Sequence, residues 1–296
     1  MPCGVTLIHD DAIHLARWVH DRSADLVYMD PPFNVGTVFR ARNKLVGSSW
    51  RAKGALAYDD RWPSIDEYLL WLSPRLEVAW CTLHEEGTLW LHLDHRAVHD
   101  AKVLCDRLFG RSAFRAEVIW TPGNGSRNRN FLGITHQTIL VYARGKQPIF
   151  HGRDPVMREP FAATSLAMHF TQRDAHGRLF RERIIGGKRY RYYADEGRAL
   201  GSVWSDCPSM EANTPLLNET TGYATQKPLK LLTRIVRAAS RKGGLIVDPF
   251  CGSGTTLMAA VRDERQSLGM DIGALAIATS RTRFQHESIE IALQNT

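Results

Sequence analysis

The chain has 296 residues, 44% hydrophobic and 23% charged, with a formal net charge of +7 and a sequence pI of about 9.3. That length buries a sizeable core in one large domain or one and a half, and the basic balance favours a polyanionic partner. No apolar run is long enough to span a membrane, Met1-Pro2-Cys3-Gly4 lacks the plan of a secretory leader, and five scattered cysteines without a C-x-x-C pair read as reduced thiols of a cytoplasmic protein, not as a disulfide frame or zinc site.

In chain order, residues 5–8 form a short strand running into His9-Asp10-Asp11, and a helix with Ile13, Ala16, Trp18 and Val19 follows. Residues 24–29 read as an apolar strand of a buried parallel sheet. Pro31 and Pro32 stop it, because neither donates to a ladder. Residues 35–53 are basic and free of acids, with Arg40, Arg42 and Lys44 among the cations, and read as an irregular loop, either simply solvated or, beside a base pocket, gripping phosphates. Ser64-Ile65-Asp66-Glu67 resembles a capping box and opens a helix with Tyr68, Leu72, Leu76 and Ala79, which Pro74 is expected to divide or kink. Strands are predicted at 88–93, 116–121 and 137–143, a helix at 97–109, and a flexible loop at 122–130 carrying Arg127 and Arg129.

From 151 to 221 apolar periodicity weakens, and cations interleave with aromatics: Arg178, Phe180, Arg181, Arg183, Lys188, Arg189, Tyr190, Arg191. This reads as a small inserted substrate-recognition region, the alternative being an ordinary surface hairpin insertion, between an N-terminal half (1–150) and a C-terminal half (222–296). Order returns with a helix at 228–241, a strand at 245–248, a tight loop, a helix at 255–262, a strand at 267–271 and a final helix from about 274.

Asp30 lies just beyond a strand's carboxyl end, the edge where open α/β sheets bind ligands. It suits attack by an exocyclic base nitrogen, whose lone pair is delocalised into the ring. Asp30 accepts one N–H and a proline carbonyl the other, while Phe33 offers a stacking face. The bland alternative is a strand-ending turn, so the motif needs a partner. Asp248-Pro249-Phe250-Cys251-Gly252-Ser253-Gly254-Thr255 supplies one: glycines let the backbone approach a ligand. It is no Walker loop, since no Lys follows Gly254, and no complete dinucleotide fingerprint. Asp271 ends the next strand, where an acid binds ribose hydroxyls. A phosphate-free cofactor bearing a nucleoside fits these features.

Asp30-Pro31-Pro32-Phe33 together with Asp248 to Thr255 resembles the S-adenosylmethionine-dependent DNA amino-methyltransferases. Gly222-Tyr223-Ala224-Thr225-Gln226-Lys227-Pro228 resembles that family too, with Ala224 where Pro is usual. Catalytic motif first and cofactor motif last is similar to its permuted β group. The resemblance implies a Rossmann-like α/β fold with a circularly permuted, mostly parallel sheet and an inserted target-recognition region. It implies S-adenosyl-L-methionine held by Asp248, Phe250, Cys251, Gly252, Ser253, Gly254, Thr255 and Asp271, with Asp11 near the adenine and Lys227 near the methionine end.

Asp-Pro-Pro in this family goes mostly with adenine N6, so a site-specific adenine methyltransferase acting on double-stranded DNA is expected. Cytosine N4, an RNA base, or a DNA-binding relative without catalysis are the alternatives. A homodimer and a cognate restriction endonuclease are compatible partners. DNA contacts are expected from Arg40, Arg42, Lys44, Arg127, Arg129, Arg178, Arg181, Arg183, Lys188, Arg189 and Arg191. His92, His95 and His99 lie close in sequence, but amino methylation needs no metal and none is expected. Trp71, Trp80 and Trp90 read as core; Trp204 suits either packing or DNA.

Overall fold

Residues 24–29 are buried at every position, as a strand covered on both faces demands. The computed structural model describes residues 4–41, 54–123, 125, 126, 129–210 and 219–295. It divides into two compact units, one of residues 1–150 with 202–296 and one of 151–201. The larger unit contains β1 (Val5–His9), β2 (Ala24–Met29), β3 (Thr37–Arg40), β4 (Leu56–Asp60), α1 (Ile65–Thr82), β5 (Leu83–Leu93), α2 (Val98–Phe109), β6 (Phe114–Trp120) and β7 (Gln137–Ala143). The smaller unit holds β8 (Arg158–Glu159), α3 (Ala163–His169), β9 (Gln172–Arg173), β10 (Leu179–Ile185), β11 (Lys188–Tyr193) and β12 (Arg198–Ala199). The larger unit resumes with β13 (Val203–Trp204), α4 (Leu229–Ala239), β14 (Leu245–Asp248), α5 (Thr255–Arg262), β15 (Gln266–Asp271), α6 (Ala274–His286) and β16 (Ile291–Asn295).

Among the described residues the central sheet has nine strands in the order β13-β6-β7-β5-β2-β14-β15-β1-β16. Every pairing is parallel except those of β7 with β5 and with β6. The permutation shows in the register. Val5 of β1 pairs with Ser267 of β15 on one side and with Ile291 of β16 on the other, so the chain's first strand lies between its last two. β14 leads through α5 to its neighbour β15, whereas β2 leads through α1 to β5 on the opposite side. The order of successive strands therefore reverses between β14 and β2, which stay parallel, and a crevice opens at their carboxyl ends. One core cluster joins Val27, Met29 and Leu91 to Leu72, Leu76 and Ala101, and another joins Leu7 to Leu257, Met258 and Phe284.

Several expectations are corrected. α1 is one helix, undivided by Pro74, which sits inside it; Leu70, whose carbonyl loses its helical donor there, is 74% exposed. β5 starts at Leu83 and not at 88. Part of the loop expected at 35–53 is strand, since β3 pairs antiparallel with β4. β16 is an unexpected edge strand. The smaller unit ends at 201 and not at 221, because Val203 and Trp204 rejoin the sheet beside Ile119 and Trp120. Trp204 is a packing residue, 1% exposed beside Trp90. Among the described residues no helix is long and apolar enough to cross a membrane.

Candidate active site

The two prolines release the chain from β2 into a turn that other residues hold. Buried Asp60, at the end of β4, accepts the backbone N–H groups of Phe33, Asn34 and Val35 at 3.1, 2.7 and 3.1 Å. Burial raises its pKa and those three donors pull it back. Asn34 takes a left-handed φ of 60°, a conformation Asn tolerates better than most residues. The Tyr68 hydroxyl donates to the Pro32 carbonyl at 2.8 Å.

Asp30 opens into a pocket walled by Pro31, Pro32, Phe33, Tyr58, Trp71, Tyr223, Lys227, Asp248, Phe250 and Asp271. The Lys227 ammonium donates to both Asp30 oxygens at 2.8 and 2.7 Å and lies 4.9 Å from the Phe33 ring centroid. Burial raises the Asp30 carboxyl above its usual value, and Lys227 opposes the rise without cancelling it. His92 sits wholly buried beneath Phe33, its Nδ1 hydrogen-bonded to the Tyr28 hydroxyl at 2.7 Å. Burial first and Lys227 second hold its pKa well below the ordinary range, so it stays neutral.

On the β14 side, Gly252 and Gly254 adopt φ of 50° and 75°, which side chains rarely take. Asp271 fixes this turn, accepting the Gly252 N–H at 2.9 Å and the Gly273 N–H at 2.8 Å. Each oxygen keeps further acceptor capacity. From behind, the Ser280 hydroxyl donates to the Gly252 carbonyl at 2.8 Å and Arg283 to the Thr255 hydroxyl at 2.9 Å. Burial pushes Asp271 up to about 6 and Asp248 up to about 7. Burial also raises the Cys251 thiol, leaving a small inert side chain in the turn.

The pocket thus gathers Asp30, Pro31, Pro32, Phe33, Lys227, Asp248, Phe250, Cys251, Gly252, Ser253, Thr255 and Asp271 from both motifs. Two expected cofactor residues lie elsewhere. Gly254 packs against Ser280 and Phe284. Asp11 does not line the pocket: it caps the 3-10 turn through the Ile13 N–H and takes Arg75 in a two-pronged ion pair at 2.9 and 2.6 Å. Trp71, read as core, walls the pocket beside Phe250, whereas Trp80 stacks on Phe109 and Trp90 is buried. Tyr58, Tyr223 and Asp60 were not anticipated. The Asx-type acceptance of three amides by Asp60 left no local signal, since its partners lie more than 20 residues upstream. Among the described residues no metal-binding group of His, Cys, Asp or Glu assembles.

The expected DNA contacts separate. Arg42, Lys44 and Arg127 lie outside the described residues. Arg40 donates to the Gly54 carbonyl at 2.8 Å, and Arg129 is exposed. In the smaller unit Arg178 pairs with Asp195 and Glu196, and both Arg189 and Arg191 pair with Glu182. Arg181 lies 5.0–5.6 Å from the ring centroids of Phe170, Phe161 and Tyr192. Arg183 and Lys188 are exposed.

A permuted, mostly parallel sheet with a glycine turn and an Asp-Pro-Pro-Phe turn facing each other across its switch point defines a Rossmann-like methyltransferase. A family model described as DNA methylase, of the N6/N4 type, matches residues 24–281. The chain belongs to this N6/N4 DNA methylase family. It is 26% identical over 325 residues to the type II methyltransferase M.EcaI of Enterobacter cloacae, covering 93% of this chain and 68% of that protein. It is 23% identical over 270 residues to the DNA adenine methyltransferase YhdJ of Escherichia coli K12, covering 91% and 79%. Among solved structures, the cytosine-N4-specific PvuII DNA methyltransferase shares the fold at a TM-score of 0.61 and 15% identity, over 96% of this chain and 87% of that one. A Thermus thermophilus DNA modification methylase complexed with S-adenosyl-L-methionine gives 0.58 and 18% over 98% of each chain.

Proposed function

We propose that the protein transfers the methyl group of S-adenosyl-L-methionine to N6 of an adenine flipped out of double-stranded DNA. One observation carries the reading: Asp30 and the turn residues Cys251, Gly252, Ser253 and Thr255 wall the same pocket. The lining fits the cofactor's chemistry. Carboxylates at Asp30, Asp248 and Asp271 suit a cationic sulfonium, and the rings of Trp71, Phe250, Tyr58 and Tyr223 suit a planar base. Asp271 would take the ribose hydroxyls, and the backbone around Gly252 the amino-acid part.

When bound, the cofactor supplies an electrophilic methyl group. The chain's task is to aim the amine at it. Asp30 accepts one amine N–H and the Pro31 carbonyl the other, which localises the lone pair, while Phe33 stacks on the base. The hydrogen bond to Asp30 strengthens as nitrogen gains positive charge, and the carboxylate is placed to receive the surplus proton. Lys227 favours the ionised form of Asp30 against its burial, and the amine would take its place at one oxygen. Adenine is favoured by the Asp-Pro-Pro form of the turn and by the adenine-specific name of one relative. The basic smaller unit would read the target sequence, and the type II names among relatives support a restriction–modification setting in the cytoplasm.

The test is to incubate duplex DNA with methyl-labelled cofactor and digest the product to nucleosides. Label in N6-methyldeoxyadenosine is the expected result. Label in N4-methyldeoxycytidine overturns the adenine assignment, and no label in DNA overturns the reading as a whole.

A further inference from the structure

We propose that the β10–β11 ribbon is a one-faced reading head that enters the major groove of the substrate DNA, with Arg183, Lys188 and Tyr190 on the reading face. The inference rests on the DNA methyltransferase reading and adds which surface of the smaller unit meets the duplex. Directly opposed residues share a face of an antiparallel pair. The register sets Arg181 against Tyr192, Arg183 against Tyr190 and Ile185 against Lys188 on one face. The other face carries Phe180 with Tyr193, Glu182 with Arg191 and Ile184 with Arg189.

The charges divide unequally between these faces. On the second face Glu182 bridges both neighbours, reaching Arg191 at 3.0 Å and Arg189 at 3.4 Å, so its single charge offsets one of their two. The first face carries Arg183 and Lys188 with no acid among its paired residues. At its root, Arg181 is held among Phe161, Phe170 and Tyr192 and serves as an anchor. Cations with no acid on their own face are therefore confined to the outer half of one face, where a phosphate-lined groove would meet them.

The dimensions agree. β9 pairs only with Leu179 and Phe180, so residues 182–185 and 188–191 project as a two-stranded ribbon. Four residues of strand extend roughly 13 Å, enough to traverse a major groove about 8.5 Å deep and about 12 Å wide, which admits such a ribbon. Gly186 and Gly187, with φ of 57° and 76°, close it in a tight turn without bulk at the tip. On the reading face Ile185 and Tyr190 are 54% and 44% exposed, apolar surface suited to thymine methyls and base edges. Arg183, opposite Tyr190, is placed to make the forked contact that selects guanine, and Lys188 at the tip to meet phosphate.

The test uses the full chain with Arg183→Ala, Lys188→Ala and, on the opposite face, the pair Arg189→Ala with Arg191→Ala. Methylation sites are sequenced on random DNA, and duplex binding is titrated against salt. Arg183→Ala is expected to relax one position of the site, cutting discrimination there by about tenfold or more. Lys188→Ala is expected to weaken all duplexes by a similar factor and to lower the salt slope by about one. The opposite-face pair is expected to keep the site. The inference is overturned if Arg183→Ala and Lys188→Ala leave site and salt slope unchanged. It is also overturned if they abolish only self-association, or if duplex RNA, whose major groove is too narrow, binds the wild type as well as DNA does. A wild type that methylates no DNA fails the underlying reading instead.

Discussion

Lys227→Met removes the cation bonded to Asp30 while keeping an unbranched stem beside Phe33. The pair is shielded from water, with side chains 7% and 16% exposed and N–O distances of 2.8 and 2.7 Å. Removing one partner of such a pair costs about 3–5 kcal/mol, because the other charge is left uncompensated. Asp30 escapes part of that cost by taking up a proton. Its carboxyl already stands above the ordinary 3.8 because burial outweighs Lys227, and without Lys227 it moves further up. A carboxyl with a raised folded value keeps its proton where the unfolded chain has lost it. The stability it contributes is therefore lost as pH rises from 3.8 through that folded value, and the variant should show a larger loss over that window than the wild type.

Chemistry should move in the opposite direction. A protonated Asp30 loses the charge that draws the amine, so transfer by Lys227→Met should fall by ~10²-fold near neutrality and recover in part as pH rises. Urea unfolding and single-turnover methyl transfer, each run from about pH 5 to about pH 9, read both arms. An unchanged rate with a flat pH profile would refute the reasoning. A uniform loss matched by weaker cofactor binding would assign Lys227 to the cofactor alone.

Asp271→Ala should weaken S-adenosyl-L-methionine binding at least tenfold by calorimetry, since a charged acceptor is worth roughly 1.5–3 kcal/mol; unchanged affinity in a folded variant removes Asp271 from the site. Because burial places Asp271 at about 6 and its ionised form is the better acceptor, wild-type affinity should rise with pH through that value and then level off, and a flat profile argues against ribose binding there. Asp60→Ala releases the N–H groups of Phe33, Asn34 and Val35, so transfer should drop roughly tenfold or more from misplacement of the Phe33 turn. Cofactor affinity should hold in that variant, and normal turnover would show the turn to be self-supporting.

The two halves of the pocket were legible because prolines and glycines act locally. Pro31 and Pro32 end one strand and Gly252 bends the exit of another, so the motifs announce themselves within a few residues. What joins them was not legible. Lys227 meets Asp30 across 197 positions of sequence, and Trp71, spaced like a core residue of α1, turns out to face the crevice. Asp11 looked available because an acid after a first strand has no local mark of being taken, and Arg75 takes it from a helix turn far downstream. β16 escaped notice because its exposed edge carries only weak apolar alternation. The cations of 178–191 read as one basic patch until the register of β10 and β11 separated the face that carries Glu182 from the face without an acid.

The central claim is that Asp30 acts on the amine in the transition state and contributes little to holding DNA or cofactor. Single-turnover transfer from methyl-labelled cofactor by Asp30→Ala, measured beside binding titrations for both ligands, tests it most directly. Methyl transfer should fall by ~10²-fold or more with both affinities nearly unchanged, the pattern of an interaction made mainly in the transition state. Near-normal transfer by Asp30→Ala, or a loss of transfer explained wholly by lost DNA binding, would contradict it.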